Sequence, residues 1–306
     1  MAGILVTGGA GFIGSHVVEA LVAGGDCVRV LDDFSSGRQE NLDGVASVVE
    51  IIEADITDIA AVKDATAGCD YVVHLAAVAS VQASIEDPVY THHINVDGTL
   101  NVLEAARQHG IQRLVFASSA SVYGDHTEIP LRESLAPHCL SPYAAHKLTG
   151  EAYCSAFYAG YGLPTVALRF FNVYGPRQDP QSPYSGVISI FADRMARGLP
   201  PTIFGDGQQT RDFVYVADVA RAVCLACKEP KANGKVLNVA SGTQTTVLAL
   251  VTALGEVLHT DIDPTMADAK TGEVRFSQGD ATLARDILGW QPAVSLNEGF
   301  TRLLGR

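Results

Sequence analysis

The stretch TGGAGFIG, residues 7–14, constrains the fold more tightly than any other part of the chain. It joins an apolar run, GILVT (3–7), to a segment with helical spacing, FIGSHVVEALVAGG (12–25). Within it stand Gly9-x-Gly11-x-x-Gly14 and the overlapping Gly8-x-x-Gly11-x-x-Gly14. Glycines at such places permit a tight turn and let the backbone approach an anion closely. The anion then meets the free N–H groups and the positive dipole end of a helix N-terminus. Glycine-rich turns are common; the strand–turn–helix setting is what makes this one a pyrophosphate cradle. The second apolar run, CVRVLD (27–32), ends in Leu31-Asp32-Asp33, about 20 residues beyond the loop. A carboxylate there accepts hydrogen bonds from an adenosine ribose and repels a 2′-phosphate, which selects NAD over NADP. Asp55 closes the third run, is followed by Ile56, and is within reach of the adenine.

Apolar runs and helical patterns alternate through the first half. The runs continue with VVEIIEAD (48–55), YVVHLA (71–76), RLVFASS (113–119) and PTVALRF (164–170). They are continuously apolar, as strands covered on both faces are. Repeated β-α-β order implies a parallel sheet with right-handed crossovers, hence an α/β, doubly wound, Rossmann-type layout. After about residue 171 the loops lengthen and Pro and Gly cluster, as in YGPRQDPQSPYSG (174–186) and RGLPPTIFGDGQQTRD (197–212). The expected division is a dinucleotide-binding domain over 1–170 and a smaller C-terminal substrate-binding lobe over 171–306. KVLNVAS (235–241) is a candidate to return to the sheet.

The 306 residues carry a formal net charge of −13 and no run of Lys or Arg, which argues against nucleic acid or an anionic membrane as partner. MAGILVTGG enters a strand pattern without the basic segment and long apolar stretch of a signal peptide. No window reaches the roughly 18–20 unbroken apolar residues of a membrane span. Cys224 and Cys227 form C-L-A-C inside an amphipathic helical pattern, with no second pair or histidines to complete a metal site. They read as small core residues, and a cytoplasmic protein with reduced thiols and no metal is the expectation. His92-His93, ahead of the helix opening at Asn95, read as surface or capping residues.

SPYAAHK (141–147) sets Tyr143 and Lys147 one helical turn apart on the same face. FASSASVYGD (116–125) closes the fifth run, and ligands of doubly wound sheets bind beyond the carboxyl ends of the strands. Ser118 and Ser119 are therefore expected to face the crevice that Tyr143 lines. A tyrosine base working near neutrality needs its pKa brought down from about 10. The Lys147 ammonium and an oxidised nicotinamide can supply that together. Ser119 would then hydrogen-bond a substrate oxygen and relay its proton.

Taken in order, TGGAGFIG, LDD, SSASVYG, SPYAAHK, RFFNVYGP and TRDFVYVADVA resemble the extended short-chain dehydrogenase/reductase family, in particular nucleotide-sugar epimerases of the UDP-galactose/UDP-glucose 4-epimerase type. The resemblance covers nearly the whole chain. It implies Ser119, Tyr143 and Lys147 as catalytic residues. It implies NAD contacts from Gly8, Gly11, Phe12, Ile13, Gly14, Asp32, Asp33, Phe34, Ser36, Gly37, Asp55, Ile56, Leu75, Ala76, Ala77, Asn95, Ser118, Tyr143, Lys147 and Phe171. For the UDP-sugar it implies Ser119, Asn172, Val187, Thr202 and Phe204 (beside uracil), Arg211 (on the diphosphate), Lys270, Glu273 (by the ribose), Arg275 and Ser277. Departures concern the nucleotide. Lys270 stands where an arginine is usual, with Arg275 as its expected substitute. Ser185-Gly186 replace an Asn pair, and Ala79 replaces a lysine. Sugar 4,6-dehydratases place an Asp-Glu pair after the Ser/Thr, and decarboxylases usually a Glu in that segment; here Ala120 and Ser121 stand there. The resemblance thus implies reversible oxidation at the sugar C4, with room beside Ser277 for an N-acetyl group, in a homodimer packed through helices 96–109 and 142–161. The alternatives are a UDP-glucuronate 4-epimerase, whose relatives usually have Thr at the place of Asn172, another nucleotide-sugar reductase or dehydratase on this fold, and a non-catalytic dinucleotide sensor.

Overall fold

The computed structural model describes residues 1–180, 186–269 and 274–305. Its centre is a seven-stranded parallel sheet: β1 (Gly3–Thr7), β2 (Cys27–Asp32), β3 (Glu50–Glu53), β4 (Tyr71–His74), β5 (Arg113–Ser119), β6 (Thr165–Phe170) and β7 (Lys235–Val239). In space the order is β7-β6-β5-β4-β1-β2-β3, so the chain winds outward from β1 in both directions. KVLNV does return to the sheet, pairing with β6 from Lys235↔Val166 to Val239↔Phe170.

Five helices cover the two faces: α1 (Phe12–Ala23), α2 (Ile59–Thr66), α3 (Gly98–Gln108), α4 (Pro142–Tyr161) and α5 (Val216–Lys228). Side chains alternate along each strand, which explains the continuous apolar runs. Ile4 and Val6 pack with α1 and α5 on one face; Leu5 packs with α2, α3 and α4 on the other. The helix α4 starts where the sequence placed it. The Ser141 hydroxyl accepts the Ala144 N–H at 3.2 Å, and Pro142 takes the first turn, where its missing N–H costs nothing. The helical pattern over 96–109 is shorter as an α-helix, because one π-turn, His93–Asp97, precedes α3.

The second lobe has its own core of Tyr174, Phe191, Met195, Phe213, Tyr215, Leu254 and Phe300. Short strand pairs frame it: Asn172–Tyr174 with Phe213–Tyr215, Thr202–Phe204 with Thr265–Ala267, and Thr210–Arg211 with Thr245–Thr246. Among the described residues, no helix is long and apolar enough to cross a membrane and no cluster of His, Cys, Asp and Glu is fit to hold a metal. Cys227 is fully buried in α5, as its small apolar character suggests.

Candidate active site

A cleft of about 1030 Å³ opens at the carboxyl ends of the strands. Its floor is the glycine turn. Gly8 has φ +70°, and a Cβ there would stand 2.6 Å from the Ala76 nitrogen. At Gly14 a Cβ would stand 2.0 Å from the Gly8 carbonyl oxygen. These two glycines let the turn pack on itself and on the β4 loop. Gly11 is different: its Cβ would meet only the Gly8 oxygen, at 3.3 Å, so its missing side chain leaves room on the ligand side. It caps α1 without a side-chain hydrogen bond, and the first turn holds no acidic residue. The amides of Phe12, Ile13 and Gly14 are thus the helix's own unpaired donors, aimed at the cleft.

Asp32 is buried at the end of β2. Its carboxylate accepts the Ala10 N–H at 2.8 Å and the Phe34 N–H at 2.9 Å, tying the glycine turn to the second strand. Burial raises its pKa, and these two amides oppose the rise. Gly37 packs directly against it, since a Cβ there would come within 2.7 Å of Oδ1. Asp33 is exposed and bonds Ser35. Phe34, Ser36, Gly37, Asp55, Ile56, Leu75, Ala76 and Ala77 border the same cleft, as does Ala79.

Two expected cofactor residues give their side chains to protein partners. Asn95 is buried outside the cleft wall and clamps the loop behind it: Oδ1 accepts the Val78 N–H at 2.8 Å and Nδ2 donates to the Val78 carbonyl at 3.1 Å. Ser118 borders the cleft, but its hydroxyl donates to the buried Glu151 carboxylate, away from Ser119. Neighbours on a strand point to opposite faces, so the two hydroxyls diverge although both residues border the cleft.

Ser119, Tyr143, Lys147 and Phe171 close the far wall. Ser119 Oγ accepts the Ser121 N–H at 3.1 Å and faces the Tyr143 phenol. The Tyr143 backbone is held by the Ser84 hydroxyl at 3.0 Å. The Lys147 Nζ donates to the Ala117 carbonyl at 2.9 Å and lies 5.1 Å from the Phe116 ring centroid and 5.9 Å from that of Tyr143. Burial pushes the Tyr143 phenol up to about 12, against a lowering by Ser119, and pulls the Lys147 ammonium down to about 8. Lys147 at this distance does not by itself acidify the phenol.

Apart from Ser119, the expected substrate residues that are described do not border this cleft. Asn172 is exposed, its N–H bonded to the Asp212 carbonyl at 3.0 Å. Thr202 and the exposed Phe204 share one short strand, and Val187 opens the helix Val187–Ala196. Arg211 donates to the Thr210 carbonyl at 2.8 Å. Arg275 forms a surface ion pair with Asp206 at 2.7 Å, and Ser277 is buried with its N–H on the Thr210 hydroxyl at 3.3 Å. Lys270, Glu273 and Ser185 fall outside the described residues.

Sequence reasoning missed two groups. Asp212, next to Arg211, gathers the Ser241 N–H (2.7 Å) and hydroxyl (2.6 Å), the Gly242 N–H (2.9 Å) and the Gly279 N–H (3.0 Å), drawing three loops together around the lobe. Glu151, two turns beyond Tyr143 on α4, makes a buried bidentate pair with Arg169 at 2.7 and 2.8 Å, beneath Ser118. A charged residue on the stripe continuing Tyr143 and Lys147 was the available signal for Glu151.

Comparison with known proteins agrees with this geometry. The family model of the NAD dependent epimerase/dehydratase family matches residues 4–240. The UDP-glucose 4-epimerase of Mycolicibacterium smegmatis is 40% identical, over 97% of this chain and 96% of its own. UDP-glucuronic acid decarboxylase 1 of Arabidopsis thaliana is 34% identical, over 98% of this chain and 68% of its own. Among solved structures, the UDP-glucose 4-epimerase of Thermotoga maritima with UDP-glucose superimposes with a TM-score of 0.94 at 41% identity, covering 99% of this chain and 97% of that one. The UDP-N-acetylglucosamine 4-epimerase of Methanobrevibacter ruminantium, in complex with UDP-N-acetylmuramic acid, gives 0.95 at 38% identity, covering 99% and 97%. A glycine turn with open helix-end amides, a carboxylate ending the second strand and a Ser-Tyr-Lys wall fit a bound NAD, and the chain belongs to the NAD dependent epimerase/dehydratase family.

Proposed function

We propose that this protein inverts the C4 carbon of a UDP-sugar, interconverting UDP-glucose and UDP-galactose and accepting their N-acetylated counterparts. The observation that carries the reading is the wall opposite the glycine turn. It brings Ser119, Tyr143 and Lys147 together, while the positions after Ser119 are Ala120 and Ser121 and offer no carboxylate for elimination or decarboxylation. NAD, when bound, supplies the hydride acceptor and donor. Tyr143 takes the C4 hydroxyl proton, Ser119 holds that oxygen and passes the proton on, and Lys147 holds the nicotinamide ribose. Arg211 and Asn172 hold the diphosphate while the 4-keto sugar turns over, so that the hydride would come back to the other face of C4 and the proton return from Tyr143 to the C4 oxygen. Thr202 and Phe204 flank the base, and the small Ser277 leaves space at the sugar C2 substituent. We also propose a homodimer joined through α3 and α4, whose outer surfaces carry the exposed Tyr161 under the Arg107 guanidinium at 5.1 Å.

The test is incubation with a panel of UDP- and dTDP-sugars, with C4 inversion read by NMR and bound NAD by its spectrum. Inversion without net NADH, lost by a factor of about 10³ or more in Tyr143→Phe, is the expected outcome. Stoichiometric NADH change would point instead to a reductase. No inversion of any sugar would end the proposal, and light scattering on the same sample tests the dimer.

A further inference from the structure

The segment after the strand Asn172–Tyr174 leaves the second lobe, crosses to the cofactor-binding half and is fastened there at three points. The Pro176 carbonyl hydrogen-bonds the His16 imidazole at 3.0 Å. Arg177 places Nη2 at 2.6 Å from both Glu19 oxygens and Nη1 at 3.2 Å from the Asn41 carbonyl. Asp179 accepts a hydrogen bond from the Arg38 guanidinium. Arg177 does this at φ +70°, a backbone conformation that non-glycine residues hold only when the surroundings enforce it.

The receiving side is wired to the glycine turn. The Arg38 N–H donates to the Ala10 carbonyl at 3.0 Å and the Asn41 side chain to the same oxygen at 2.8 Å. Ala10 in turn gives its N–H to Asp32. Arg38, Asn41, Arg177, Gln178 and Asp179 all border the cleft that contains Gly11 and Asp32.

We infer that residues 176–179 are a latch across the adenosine end of the cleft, pinned by Arg177 to Glu19, and that it slows release of the dinucleotide. A ligand seated on the glycine turn and Asp32 leaves only after these contacts open, so their opening adds to the release barrier. The Arg177–Glu19 pair suits the role because it is half-buried, with side chains 24% and 34% exposed, and one guanidinium nitrogen meets both carboxylate oxygens. Arg38–Asp179 is more exposed and contributes less. A cofactor that ends each cycle unchanged has no need to leave, which gives slow release its purpose. The inference rests on NAD occupying the cleft and not on which sugar is turned over.

The holoprotein is loaded with isotopically labelled NAD, and its exchange against excess unlabelled NAD is followed for the parent, Glu19→Gln, Arg177→Gln and the double variant. Each single change should speed release about five- to tenfold, and the double should be no faster than either single, because the pair acts as a unit. A parental rate in Glu19→Gln, or effects that multiply in the double variant, would overturn the latch. So would a fall in the melting temperature of the cofactor-free variants that tracks the faster release, since the pair would then be an ordinary fold contact. Sugar turnover is not read in this assay, so slow release without any C4 inversion would sink the functional proposal and leave the latch standing.

Discussion

Burial acts on Tyr143 and Lys147 in opposite senses, holding the phenol protonated near 12 and loosening the ammonium's proton toward 8. To act as a base near pH 7, the phenol needs about 7 kcal/mol of added preference for its anion. Among the protein's own groups only Ser119 lowers the phenol, and on the proposed mechanism a pyridinium beside the ring would supply the rest. Ultraviolet difference spectra between the parent and Tyr143→Phe should therefore show no tyrosinate from this residue through pH 10 in the cofactor-free protein. Adding NAD should bring the signal toward neutrality; an unchanged titration would remove Tyr143 as the base. The lysine gives a stability signature. Its folded pKa, about 8, lies below the ordinary 10.5, so the unfolded chain binds the proton more readily and stability rises with pH between those values. Lys147→Met should stabilise the cofactor-free protein by about 3 kcal/mol at pH 7, with the gain fading between pH 8 and 10.5 in denaturant titrations. The Tyr143–Lys147 spacing was plain from the sequence because a helix turn dictates it. The state of the pair was not, because it depends on what other elements bury.

At the level of elements, the strand–turn–helix unit was legible because its glycines answer to local geometry. The structure separates their roles, and a pair of substitutions tests the separation. Gly14→Ala drives a methyl into the Gly8 carbonyl and should cost more than about 3 kcal/mol of stability by chemical denaturation. Gly11→Ala, with only one neighbour at 3.3 Å and φ −73°, should leave stability nearly intact while weakening NAD binding by calorimetry. Equal losses of stability would refute the assignment. What the strands hid was the direction of each side chain. SS in RLVFASS looks like two equivalent hydroxyls until the pleat sends Ser118 to Glu151 and Ser119 to the cleft. Asn95 likewise gives its side chain to Val78 from within a π-turn, and nothing in NVDGTLNVL announces that turn.

Across the whole molecule, the sheet and its winding followed from the order of apolar runs, and the second lobe did not. Its strands are two or three residues long, too short for periodicity to reveal. Their placement depends on Asp212 gathering loops from positions 241, 242 and 279. The residues proposed to hold the nucleotide come from this lobe, and that is where the sequence was least informative.

The strand Lys235–Val239 lies at one border of the sheet, against β6, although residues 171–234, including much of the second lobe, are threaded between them. During synthesis the dinucleotide half therefore emerges with the ladder of β6 open, and it waits for a much later stretch of chain to cover that seam. A fragment ending at residue 170 should accordingly self-associate through the bare border rather than remain monomeric in sedimentation, whereas supplying residues 171–306 in trans should suppress this. A monodisperse, dinucleotide-binding fragment would mean that the first half matures without its late-arriving neighbour.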